Sequence, residues 1–158
     1  MSADNAVRRL FTVKEANQRL PLVRAIVQDI VDLFKDLQQR RERIASVKQL
    51  RGQGTSSSRF HSEETDQVEE EIQRDEERLA EFVRELAELG VEFKDPILGL
   101  VDFPAQMDDR VVQLCWKLGE SEVQFWHELD AGFSGRQLLL AETVSGGPTG
   151  PKEEDPRS

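Results

Sequence analysis

The residues able to do chemistry are concentrated between Asp102 and Arg136. The only cysteine, Cys115, lies there with both tryptophans, Trp116 and Trp126, and one of the two histidines, His127, followed by Glu128, Asp130 and Arg136. A cysteine near a histidine could be a nucleophile with its base. It could also be half of a zinc site, which in its structural form takes four nitrogen or sulfur ligands. A carboxylate pair, Glu92 with Asp102, could hold a hard cation such as magnesium or calcium. The run Asp130-Ala131-Gly132-Phe133-Ser134-Gly135-Arg136 could present backbone amides beside a fixed positive charge and so hold a carboxylate or phosphate. An Arg136 paired with Asp130 or Glu128 is the equally good structural reading. No phosphate-binding loop, dinucleotide fingerprint, serine elbow or His-Glu-x-x-His motif occurs.

Which of these groups meet depends on strands. From Val91 onward the apolar pattern has a period of two. Val91-Glu92-Phe93 and Val101-Asp102-Phe103 flank the turn Asp95-Pro96-Ile97-Leu98-Gly99, and Pro104 ends the second strand or marks an edge. Pairing Phe93 with Val101 sets Glu92 opposite Asp102, two carboxylates that are most simply kept apart by solvent. A second hairpin, Arg110–Leu118 with Ser121–Leu129, flanks Gly119-Glu120, where a leading glycine suits a type II′ turn. That turn sets Trp116 against Val123, Leu114 against Phe125 and Val112 against His127 on one nearly apolar face. Gln113, Cys115, Gln124, Trp126 and Glu128 take the other. On this register Cys115 and His127 point to opposite faces, which removes both the zinc and the nucleophile readings and leaves no metal ligands expected. His127 then reads as a satisfied, half-buried histidine, with a ligand or proton-transfer role as the alternative. Trp126, on the polar face, wants a cover from the helices, a ligand or another subunit.

Long helices precede the strands. Thr12 and Glu15 are spaced as a reciprocal capping box. Pro21 predicts a break or kink at Leu20-Pro21. Val23, Ile30, Leu37 and Ile44 then recur every seven residues, with only Arg40-Arg41 interrupting the stripe. Ile72, Leu79 and Leu86 repeat at the same interval before a stop at Gly90. Between them Gly52-Gln53-Gly54-Thr55-Ser56-Ser57-Ser58 reads as a flexible linker. The first helix ends basic (Arg40, Arg41, Arg43, Lys48, Arg51) and the second begins acidic (Glu63, Glu64, Asp66, Glu69, Glu70, Glu71). An antiparallel hairpin roughly 40 Å long satisfies both ends.

The 158 residues suit one domain, with 37% apolar and 33% charged content. A net charge of −10 argues against nucleic acid and anionic membranes. No apolar run is long enough for a membrane span and no signal peptide is evident, and a single cysteine suits a reducing compartment, so a cytoplasmic protein is expected.

The blocks Phe11-Thr12, Glu15-Ala16-Asn17, Leu20-Pro21, Gly99–Pro104, Cys115–Glu120 and Trp126–Arg136 closely resemble the bacterial domain of unknown function 2203 family, over roughly residues 10 to 140. The resemblance implies a small bacterial protein and carries no activity, cofactor or catalytic residue. The expected architecture is α+β: a flexible segment 1–10, a helical hairpin (11–51 and 62–90), a small antiparallel β-meander (91–140) and a disordered tail 141–158. The favoured function is a non-enzymatic assembly module. Leu37, Ile44, Ile72 and Leu79 would form its seam toward a second copy or a protein partner. The alternative is a ligand- or metal-binding protein, possibly an enzyme, using Trp126, His127, Glu128, Asp130 and Arg136. Neither a reaction nor a cofactor follows from the residues alone.

Overall fold

The computed structural model describes residues 9–53 and 58–139; the expected terminal segments up to residue 8 and from 140, and linker positions 54–57, lie outside them. Helix α1 (Val13–Gln53) starts on the capping box. Thr12 N–H donates to Glu15 Oε1 and Glu15 N–H to Thr12 Oγ1, both at 3.0 Å. The expected break at Pro21 does not occur, and α1 runs through it. Leu20 and Val23 on either side are buried, and at about 1.5–3 kcal/mol each their burial is enough to offset the roughly 3 kcal/mol cost of an interior proline. Helix α2 (Ser58–Glu88) ends with Val91 N–H donating to the Leu86 carbonyl and Gly90 N–H to that of Ala87, a cap that needs the φ of +88° at Gly90.

The helices form the expected antiparallel hairpin, with Arg40–Asp75 at 2.6 Å, Arg41–Glu76 and Lys48–Glu69 as cross-helix ion pairs. Arg40, read as an interruption of the stripe, lies in the seam and also holds Asp36 at 2.9 Å. Leu37 and Ile72 are buried in the hairpin, and Ile44 and Leu79 are half-buried. Leu37 is therefore not the exposed contact surface the assembly reading requires.

Five antiparallel strands follow in meander order: β1 (Glu92–Asp95), β2 (Leu100–Met107), β3 (Arg110–Lys117), β4 (Phe125–Glu128) and β5 (Gln137–Leu138). Strand β2 does not stop at Pro104. The Pro104 carbonyl accepts from Phe11 N–H on the side that β1 has already vacated, so the missing N–H removes no bond to β3. One sheet face packs Val101, Phe103, Val112, Leu114, Trp116 and Trp126 against α1 residues Leu20 to Ile30 and Leu86 of α2. No helix among the described residues is long and apolar enough to cross a membrane.

The second hairpin departs from expectation in its register. Glu120 N–H donates to the Lys117 carbonyl at 3.0 Å, so Gly119, with φ +106°, is the third residue of a turn begun at Lys117. The Glu120 carboxylate accepts from Lys117 N–H, and its carbonyl accepts from Trp116 Nε1–H. Asn17 Oδ1, on α1, accepts from Val123 N–H at 2.7 Å. Pairing resumes only at Phe125: Leu114 opposes Trp126, Cys115 opposes Phe125 and Gln113 opposes His127. A shift of one residue turns every β4 side chain to the other face. Trp126 enters the core, and His127 joins Cys115.

Candidate metal centre

Side chains alternate along each strand, so the face opposite the core carries Asp102 on β2, Gln113 and Cys115 on β3, and His127 on β4. Asp102 is directly opposite Cys115, and Gln113 directly opposite His127. All four are buried, with relative exposures of 2% for Asp102, 5% for Gln113, 0% for Cys115 and 3% for His127. One ligand atom from each of Asp102, Cys115 and His127 lies within 4.8 Å of the other two.

The imidazole fixes the chemistry. His127 Nδ1 is 2.7 Å from the Glu128 carbonyl oxygen, which can only accept, so Nδ1 carries the proton. Nε2 is then 3.1 Å from both carboxylate oxygens of Asp102. A bare nitrogen lone pair facing a bare carboxylate would repel it. The gap therefore needs one positive species, a shared proton or a metal ion. A metal-bound histidine is commonly oriented by this kind of Nδ1–H to carbonyl bond.

Burial raises the Asp102 carboxyl above its ordinary range, against the lowering influence of His127 and Lys94. Burial, with the Asp102 charge behind it, also pushes the Cys115 thiol up to about 11, only partly offset by Arg136. Both ring nitrogens of His127 are engaged, and the Asp102 charge beside the fully buried thiol disfavours the thiolate, so the site argues against a nucleophilic cysteine. A bound cation would reverse the thiol's preference by stabilising thiolate.

Gln113 reaches across β2. Its Nε2 donates to Glu92 Oε1 on β1 at 3.1 Å, while its Oε1 is buried with no hydrogen-bond partner among the described residues. Glu92 is opposite Asp102, as the first hairpin predicts, and the two carboxylates take different partners. Asp102 turns to His127, and Glu92 to Gln113 and, at 3.4 Å, to Lys94. Glu92 and Lys94 also line an open groove of about 640 Å³ beside β1.

The other expected site residues lie elsewhere. Trp126 is core, 7% exposed, with the Arg110 guanidinium 5.9 Å from its ring. Glu128 accepts a bidentate pair from Arg110, at 3.0 and 2.6 Å. Asp130 is exposed. Arg136 pairs with Glu120 at 2.7 Å, not with Asp130 or Glu128, donates to the Cys115 carbonyl, and lies between the Phe125 and Phe133 rings at 4.1 and 4.8 Å. The amides of Ala131, Gly135 and Arg136 donate to the Glu128, Gly132 and Phe133 carbonyls, so these three are not turned to an anion. Of that set only His127 enters the cluster. The β3–β4 shift brings Cys115 and Gln113 to the face of His127, and the β2–β3 register, which neither the hairpin turn near Gly99 nor that at Gly119 fixes, adds Asp102 to them.

A family model described as "Uncharacterized conserved protein (DUF2203)" matches residues 9–139. No curated protein and no solved structure matches.

Proposed function

We propose that this chain, which belongs to the DUF2203 family, is a metal-binding protein holding one divalent transition ion, of which zinc is the type, between Asp102, Cys115 and His127. The observation that supports it is His127 Nε2 at 3.1 Å from both Asp102 carboxylate oxygens, with the Cys115 sulfur within 4.8 Å of those two groups. Sulfur, nitrogen and oxygen donors together suit zinc and its neighbours, whereas magnesium and calcium prefer oxygen alone.

Metal analysis of protein purified without chelator, followed by zinc titration of the stripped chain, tests this reading. One equivalent per chain is expected, and it falls away in Cys115→Ser and His127→Ala. A chain that arrives empty and takes up neither zinc nor cobalt holds only a shared proton there, and the reading fails.

A second reading, self-assembly or partner binding through the hairpin, is supported by Val47 and Leu50, 37% and 68% exposed on the sheet-distal part of α1. Sedimentation of Val47→Ser/Leu50→Ser tests it: an oligomer present in the parent and lost in the variant supports it, and an unchanged state removes it.

A further inference from the structure

We infer that Gln113 Oε1 supplies a fourth donor to the ion, so that the site is closed and the ion is a structural tie, not a reaction centre. This inference rests on the metal reading above. Gln113 stands on β3, and the carboxylate it binds stands on β1. Neighbouring strands are about 4.8 Å apart, so the side chain must lie across β2 to make that bond. Glu92 is the β1 partner of Asp102, which places the Gln113 amide over the row that holds the Asp102 carboxylate.

The orientation of the amide is set as well. Glu92 can only accept, so the Gln113 nitrogen must face it, and a flipped amide would set two oxygens against each other. The carbonyl oxygen is then directed away from Glu92, on a side chain 5% exposed, with nothing donating to it. A buried acceptor without a donor is rare and calls for an ion or a donor that completes it. Among its neighbours on this face, the Cys115 thiol is spent on Asp102. The Asp102 carboxylate accepts, and both nitrogens of His127 are committed. A cation held by Asp102, Cys115 and His127 answers that need.

Three protein ligands would leave the open position that catalytic zinc sites keep for water or substrate, whereas four make the closed set of structural sites. Gln113 therefore decides between the two. Its tether to Glu92 acts as the outer support that presents the oxygen.

Cobalt(II) replaces zinc as a coloured probe in the full chain, with azide as the challenge. The parent protein is expected to show the intense visible bands of four-coordinate cobalt with a thiolate charge-transfer band, unchanged by azide. Gln113→Ala is expected to bind on the order of a hundredfold more weakly and to become azide-sensitive as water enters the vacated position. Glu92→Ala keeps the donor and removes only its tether, so about a tenfold loss with unchanged bands is expected. If the parent spectrum already shifts with azide, or if Gln113→Ala binds as the parent does, the closed site is overturned while the metal reading survives. If the parent takes up no cobalt, the metal reading itself falls. The parent's azide response decides the matter even if Gln113→Ala does not fold.

Discussion

A buried carboxylate survives only when something answers its charge, and for Asp102 that partner is His127. Removing the imidazole leaves a carboxyl that must protonate or stay uncompensated, so His127→Ala in metal-free protein is expected to cost about 3 kcal/mol in urea unfolding at neutral pH. Asp102→Asn keeps the shape and removes the charge, and should cost less. Equal costs would mean that packing, not charge compensation, holds the pair. The neighbouring Glu120–Arg136 pair carries a different signature. Burial works to raise the Glu120 carboxyl, but the Arg136 guanidinium and the Lys117 amide outweigh it and hold the carboxyl below its ordinary range. A carboxyl depressed on folding adds stability that is fully present above its unfolded pKa and is lost as pH falls through the lower, folded value. Acid unfolding of the parent should therefore steepen below the usual carboxylate range. Glu120→Gln should flatten that part of the profile and cost about 1–2 kcal/mol at neutral pH. A variant as acid-sensitive as the parent would assign the steepening to other carboxylates.

Turns, more than strands, decide what this sheet's second face contains. The two turn glycines differ in a measurable way. Around Gly119, φ +106°, an added Cβ meets nothing within 4 Å, so Gly119→Ala should cost only the conformational term, about 1 kcal/mol. At Gly99, φ +69°, the same atom would lie 2.7 Å from Leu118 Cβ and 3.1 Å from Val27 Cγ1, so the β1–β2 turn would have to move away from Leu118 and from α1. Gly99→Ala should be clearly the more damaging of the two in thermal or urea unfolding. The reverse order would mean that this turn does not dock tightly on the helix. The same turns explain what the sequence discloses. The heptad stripes, the opposite charges of the helix ends and the Thr12–Glu15 box are local patterns, and each predicts what forms. Glu92 opposite Asp102 follows from alternation and is also correct. The β3–β4 register depends instead on Asn17, far away in sequence, which captures the Val123 amide and helps hold residues 118–124 as a loop. Nothing near Gly119-Glu120 signals that bond, and the one-residue error it permits is enough to separate Cys115 from His127 on paper.

The molecule has two regions that share little packing. The hydrophobic cluster takes its helical members from Ala16 to Ile30 of α1 and from Leu86 of α2, with Leu79 and Phe82 at its margin. The distal seam residues Leu37, Ile44 and Ile72 lie outside it. The proposed ion would sit on the far face of the sheet, joining β2, β3 and β4. A ligand that binds only the folded state stabilises it by about 2.7 kcal/mol at a hundred times its dissociation constant. That stabilisation is spread only as far as cooperative packing carries it. Hydrogen exchange with and without zinc should therefore show slowed amides across Leu100–Met107, Arg110–Lys117 and Phe125–Glu128. Amides near Leu37 to Leu50 and near Glu63 to Ile72 should exchange as before. Protection reaching the distal hairpin would mean that sheet and hairpin open as one unit, which would let the ion influence whatever surface Val47 and Leu50 engage. Protection confined to the three strands would make the sheet an ion-tied platform beneath an independently breathing hairpin.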